Sequence, residues 1–308
     1  MTFRLLKKTA AFFLFLWAAG SLIFFLVHTI PGDPLVAMLG QMPSSEDVKR
    51  LEHSLGLDRP LIEQYTRFIK KMLVLDLGES LVTRKPVAGA IREYFPNTAI
   101  LAFTAMTMSM LIAFPLGILA AVRKNSGWNT LSVVLSATGL AIPSFLLGIL
   151  LIILFSVHLK FLPVSGSGGF KFLVLPAATL TISLSAFLTR MVRAAVAAEL
   201  RQPYILLAQA KGLSEFRIVS RHVLKNAMIP IITIMGLQLG ALLSGAIVIE
   251  NVFSWPGIGT LLITAIRQRD FPMIQGTALF MAALYLLLNL LVDLSYPFFD
   301  PRIRHDRP

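Results

Sequence analysis

LLAQAKGLSEFRIVSRHVLKNAMIP, Leu206 to Pro230, is a basic segment leading from one apolar run into the next. It carries Lys211, Glu215, Arg217, Arg221, His222 and Lys225, with Gly212 near its start. The runs beside it, Phe172–Thr189 and Ala227–Ile249, contain no Asp, Glu, Lys or Arg. Each has about the 20 apolar residues that a helix needs to cross the ~30 Å hydrocarbon core of a bilayer. A charged segment between two such runs belongs at a membrane surface, and this reading makes the chain a bundle of helices in lipid.

Four further runs have the same character: Thr9–Ile30, Thr98–Val122, Thr130–Val157 and Phe271–Ser295. Hydrophobic residues make up 56% of the 308-residue chain and charged residues 14%, against about 25% charged in a soluble domain. The expected fold class is therefore an all-α membrane protein with six transmembrane helices. Arg4, Lys7 and Lys8 precede the first run as they would a signal peptide. That run is too long for an h-region, and its small residues Ala18, Ala19 and Gly20 sit in the middle, so it reads as a retained helix. Cysteine is absent, which excludes a disulfide framework and any thiolate metal site.

A net charge of +12 raises the possibility of nucleic acid, but the distribution of the charge argues against it. Segments on the N-terminal side of the membrane carry Arg4, Lys7, Lys8, Arg123, Lys124, Arg190, Arg193, Arg201, Lys211, Arg217, Arg221, Lys225, Arg302, Arg304 and Arg307. Outside the long loop, the other side has only Lys160, Lys171, Arg267 and Arg269. Positive charge favours the cytoplasmic side and long loops are discounted, so both termini are expected in the cytoplasm of a multi-pass protein of the bacterial inner membrane. The expected organisation is a cytoplasmic N-terminus and first helix over 1–30, an extracytoplasmic loop over 31–97, a five-helix core over 98–299 that includes a cytoplasmic loop at 190–226, and a cytoplasmic tail over 300–308.

The loop at 31–97 is long enough to hold helices of its own. Ser44 or Ser45 can cap one in which Val48, Leu51 and Leu55 share a face and Gly56 is the stop. Pro60 can start another, carrying Leu61, Tyr65, Phe68 and Met72. These amphipathic pieces suit the membrane rim, and the plainer reading, a folded loop without a ligand role, is the preferred one. Pro115, Pro143 and Pro176 lie in or beside apolar runs, where neighbours must supply the missing hydrogen bond or a kink results.

Within the opening stretch, Pro203 suits a first helical turn and Gly212 the position just past a helix end, so a short helix is expected over Pro203–Lys211. Ser214 can cap a second helix from Glu215 toward Lys225. So short a helix is marginal alone in water and needs something to pack on. Tyr204, Leu207, Ala208 and Lys211 fall at helical spacing and form a narrow stripe that a groove on a cytosolic partner could receive. The alternative is a basic loop lying on anionic headgroups.

The segment AQAKGLSEFRIVSRHVLKNAMIP resembles the cytoplasmic signature loop of ATP-binding-cassette importer permeases, with Ala208, Gly212, His222, Leu224, Lys225 and Asn226 at matching positions. Leu206 and Leu207 stand where that signature has a glutamate and its first alanine. HTIPGDP, LGLDRPLIEQY, LDLGES, ENVFSWPGIGTLL, RDFPMIQG and DPRIR resemble the peptide and nickel branch of the family, in the same order along the chain. The resemblance implies a type I importer permease fold and a pairing with a second, similar permease. It also implies two ATPase subunits beneath and an extracytoplasmic substrate-binding protein above. ATP and magnesium would then sit in the ATPase partners, and Pro203–Lys211 would be the coupling helix, with Tyr204, Leu207, Ala208, Lys211, Gly212 and Glu215 as its site residues. Short peptides are the first expected substrate on the resemblance, with nickel, a metal chelate or glutathione as alternatives.

Other candidates are weaker. Trp255, Pro256 and Gly257 could shape an outer gate or merely a turn anchored at the headgroups. Asp293 is the one carboxylate within a run; it could couple transport to an ion gradient, or simply meet an interfacial cation near the helix end. His28, His53 and His158 do not cluster in sequence, so a metal site is not expected. The chain has no phosphate-binding G-x-x-x-x-G-K-[ST] motif and no G-x-S-x-G or H-E-x-x-H, so it is expected to bind no cofactor and to leave ATP hydrolysis to its partners. An ion-coupled secondary carrier using Asp293 is the competing function.

Overall fold

The computed structural model describes residues 2–29 and 58–299, and among these the one β pairing is an isolated bridge between Glu79 and Pro86. The expected helix after Ser44 or Ser45 and the tail motif DPRIR lie outside the described residues. Helix α1 (Thr2–Thr29) is followed by α2 (Leu61–Leu73), which starts directly after Pro60 and presents Tyr65, Phe68 and Met72 to α1. Helix α3 (Val87–Val122) begins within the segment read as outer loop and continues through Pro96 and Pro115.

The third apolar run is a bent pair, not one straight helix. Helices α4 (Gly127–Ala141) and α5 (Ser144–Leu151, continued by a π-helical turn over Ile152–His158) meet at 95°. The cause is Pro143, which lacks an N–H and holds the preceding Ile142 in an extended conformation (φ −90°, ψ 120°). Helix α6 (Phe170–Glu199) absorbs Pro176 and runs ten residues past the expected run.

After α6 come α7 (Pro203–Ala210), α8 (Glu215–Ile218), a π turn (Val219–Val223) and α9 (Leu224–Leu243). Gly245, at φ +107°, ends this spanning helix, and α10 (Ile247–Val252), α11 (Ile258–Gln268) and α12 (Phe271–Phe299) follow. Among the described residues, five helices are long and apolar enough to cross a membrane, or six spans if the bent pair counts as one.

The centre of the bundle is the α3–α6 interface. Ala105, Ser109, Ala113, Gly117 and Ala121 recur at every fourth position of α3 and are buried. A Cβ on Gly117 would come within 2.8 Å of the Val192 side chain, so small residues set the close approach of the two helices. On the flank, α1 and α12 run antiparallel. Lys8 Nζ and Asp293 Oδ2 are 3.3 Å apart at one end, and the His28 and Phe271 rings are 6.2 Å apart at the other. These contacts define a near side, with Lys8 and Asp293, and a far side, with the start of α12.

Candidate functional site

On the near side the opening segment folds as a helix, a tight turn and a second helix. Leu213 N–H donates to Ala208 O at 3.3 Å and Gly212 N–H to Gln209 O at 2.9 Å. These two bonds form a Schellman motif, which satisfies carbonyls that the end of a helix otherwise leaves unpaired. The motif requires a left-handed residue, and Gly212 supplies it at φ +75°. Nothing lies within 4 Å of a Cβ built on Gly212, so the requirement for glycine is conformational and not steric.

Helix α7 is braced from both flanks. Tyr204 OH donates to Glu199 Oε2 at 2.5 Å and accepts from Asn226 Nδ2 at 2.9 Å, linking the end of α6 to the start of α9. Ile205 and Ala208 are buried in a cluster with Val196, Ile218, Val223 and Ala227. The expected stripe is therefore split: Ala208 faces the chain's own core, while Tyr204, Leu207 and Lys211 face out with Glu215. Ser214 occupies the cap position of α8, but its hydroxyl makes no capping bond.

The outward face is apolar. Leu206 is 67% exposed, Leu207 59% and Phe216 83%, large hydrophobic surfaces on a charged loop. Phe216 carries no signal in the sequence, and Leu206 appears there only as a departure from the signature glutamate. The available signal was geometric: burying Ile205 and Ala208, three apart, turns Leu206 and Leu207 away from the core.

On the far side, two sequence motifs meet through a buried carboxylate. Asp270 accepts from Ser80 Oγ, from Leu81 N–H at 3.1 Å and from Met273 N–H at 3.3 Å, so it caps α12 while holding the loop before α3. LDLGES and RDFPMIQG are thus one structural unit.

A second clamp holds the Trp255–Gly257 turn. Trp255 Nε1–H donates to Asn97 O at 3.0 Å, and Asn97 Nδ2 donates to Pro256 O at 3.0 Å. Fully buried Glu250 accepts from Thr98 Oγ1 at 2.7 Å, Gly259 N–H at 2.7 Å and Thr260 N–H at 3.1 Å. A Cβ on Gly257 would fall 2.3 Å from that carboxylate, so the glycine makes room for it. Trp255 is buried against α3 and not displayed as an interfacial anchor. Asp293 meets Lys8, an interfacial cation, near the helix end.

Comparison with known proteins places these features in context. Residues 113–305 match the family described as binding-protein-dependent transport system inner membrane component, and residues 1–102 match the N-terminal membrane component of such systems. The chain is 40% identical over 290 residues to the glutathione transport system permease protein GsiC of Escherichia coli O6:H1 strain CFT073, covering 94% of this chain and 95% of the relative. It is 39% identical, with the same coverage, to the protein of that name from Shigella flexneri serotype 5b. Among solved structures it resembles the inward-facing MetNI methionine ABC transporter, with a TM-score of 0.60 at 18% identity over 69% of this chain and 97% of that one. An amino acid ABC transporter crystallised with histidines aligns with a TM-score of 0.51 at 17% identity, over 70% of this chain and 94% of the other. These structural matches bear on the fold alone.

Proposed function

Because the chain belongs to the binding-protein-dependent transport system inner membrane component family, and is the transmembrane subunit of an ATP-driven importer of the peptide and nickel type, we propose that it carries short peptides, including glutathione-like ones. It is the translocation component and not the ATPase. The family implies ATPase and substrate-binding partners. Our reading of the assembly is a second permease beside this chain, two ATPase subunits holding ATP and magnesium, and a binding protein outside. The near side, with both termini, is then cytoplasmic, as the charge asymmetry of the sequence supports.

The observation that carries the coupling role is the two-sidedness of α7. Its inner face, Ile205 and Ala208, is sealed into the bundle, while Leu206 and Leu207, and Phe216 on the following helix, are exposed apolar side chains that we read together as a knob. An exposed apolar patch of this kind marks a surface awaiting a partner. A push on the knob passes through the Tyr204 bonds to α6 and α9 together, and through Gly212 to α8. ATP binding then favours one of two global arrangements only through contacts that differ between them. Ion coupling through Asp293 gains no support, because that carboxylate is half-exposed and paired with Lys8.

The test is reconstitution of the importer with its partners in proteoliposomes. ATP-dependent accumulation of glutathione or a dipeptide supports the peptide reading. Accumulation of nickel with neither peptide transported overturns it.

A further inference from the structure

A cavity of about 670 Å³ opens on the far side between α1, α2, α12 and the loop before α3. Its size falls within the range of roughly 300–1,000 Å³ typical of small-molecule sites. Its floor is apolar and aromatic, made by Phe24, Phe68, Phe271 and Leu279, whereas its walls carry Lys71, Asp76, Glu79 and Arg84.

The apolar lining lies deeper than the charged residues, which are all exposed. By helical rise, Phe24 and Leu279 lie about 24 and 21 Å along α1 and α12 from the Lys8–Asp293 pair. Against the ~30 Å thickness of a hydrocarbon core, the floor lies toward the far end of the two helices. Lys71, Asp76, Glu79 and Arg84 are exposed and line the same cavity, so they can meet the polar end of a ligand whose apolar part reaches the aromatic lining.

The walls are also rigid. The Ser80–Lys85 hairpin that carries Arg84 is closed by Ser80 N–H to Lys85 O at 2.9 Å and Arg84 N–H to Ser80 O at 3.1 Å. Thr83 N–H donates to Ser80 Oγ at 2.8 Å, and the Asp270 clamp fixes the hairpin to α12. Arg84 itself is left-handed at φ +59°, a conformation that this network holds in place. Gly78 N–H donates to Asp76 Oδ1 at 2.9 Å, which sets the other wall.

Both signs of charge are available inside. Lys71 Nζ and Asp76 Oδ2 stand 4.0 Å apart, at the outer limit of an ion pair, and among the described residues Glu79 and Arg84 make no ion pair. A cavity that offers cations and carboxylates beside an apolar, aromatic lining suits a ligand that carries both signs of charge and an apolar portion. We propose that this cavity binds a small zwitterion presenting an anionic carboxylate or phosphate to Lys71 and Arg84 and an ammonium group to Asp76 and Glu79, with an apolar portion on the aromatic floor. A peptide with free termini has this chemistry, and so does a phosphatidylethanolamine headgroup. The assignment does not depend on which solute the importer carries.

The test uses the assembled permease–ATPase complex without binding protein, in nanodiscs of phosphatidylethanolamine or of phosphatidylglycerol. Two variants are compared with wild type: Glu79→Gln with Arg84→Asn, which keeps a residue tolerant of left-handed backbone, and Lys71→Gln on the separate α2 wall. Binding of glycyl-phenylalanine in phosphatidylglycerol discs is measured against its N-acetyl amide, and lipid retained on the complex is read by native mass spectrometry. The expected result is dipeptide binding weakened by about tenfold or more in both variants and absent for the blocked form, since charge-assisted bonds are of that strength. Retention of phosphatidylethanolamine by wild type and its loss in the variants also supports the site, with lipid as its source. If neither the dipeptide nor the lipid responds to either substitution, the assignment is wrong.

Discussion

The Thr98 hydroxyl lies 2.7 Å from Glu250 Oε1 and, at 2.8 Å, accepts from the Ile258 amide. One side chain of α3 thus serves α10 as donor and α11 as acceptor. The buried carboxylate opposite satisfies two further amides of α11, so three helices and the Trp255–Gly257 turn form one block. Glu250→Ala leaves these donors buried without an acceptor, at about 1–3 kcal/mol for each stranded group. The variant is expected to lose its monodisperse size-exclusion peak at lower temperature than wild type, and Glu250→Gln, which keeps an acceptor, to fall between them. Equal heat resistance of Glu250→Ala and wild type would show that the clamp does not hold the block.

Gly212 tests the Schellman turn. A Cβ in left-handed backbone costs on the order of 1 kcal/mol, and a β-branched residue costs more. Gly212→Val should uncouple ATP hydrolysis from uptake or weaken ATPase attachment, whereas Gly212→Asn should behave nearly as wild type, because asparagine tolerates this conformation and the space is open. Lys211→Ala should do less than Gly212→Val. The reverse order, with Lys211→Ala the more damaging, would mean that charge on the headgroups matters and turn shape does not.

Leu206, Leu207 and Phe216 test the knob. Replacing Leu207 and Phe216 with serine removes exposed apolar surface without touching the buried Ile205 and Ala208. Co-purification of the ATPase subunits should fall several-fold while the permease still inserts. Unchanged co-purification places the ATPase contact elsewhere.

The Tyr204 brace makes a different prediction. Tyr204→Phe deletes the bonds to Glu199 and Asn226 but keeps the ring. A neutral bond contributes about 1 kcal/mol and one to a charged group about 1.5–3. ATPase attachment should survive, while substrate uptake per ATP hydrolysed drops. If that ratio stays at the wild-type value, the force reaches the bundle by another route.

Topology can be checked because the chain contains no cysteine. A single cysteine at Ser214 should be shielded from a membrane-impermeant maleimide in intact cells, and one at Thr83 should be labelled. Labelling at Ser214 in sealed cells inverts the proposed orientation.

Much of the near-side site was legible in local sequence. Pro203 at a helix start and Gly212 just beyond its end mark a nine-residue event governed by backbone preference, and α7 follows these marks to within one residue. The face of α7 turned inward was not legible. The spacing of Tyr204, Leu207, Ala208 and Lys211 describes a surface stripe, but α7 is so short that the elements packed around it decide what it buries, and they enclose Ile205 and Ala208. Likewise Pro143 signalled a kink or a locally compensated helix, and the 95° break falls at that position.

By itself, the sequence determined the membrane as solvent, the apolar runs, the basic segment at their surface and the glycine that turns it. Hydropathy and backbone preference belong to contiguous residues, so they can be read along the chain. Tertiary structure alone decided that Thr98 would meet Glu250 across 152 positions and that Ser80 would meet Asp270 across 190. A carboxylate in apolar surroundings needs donors from whatever is packed beside it. Which donors those are is fixed only when the helices have assembled.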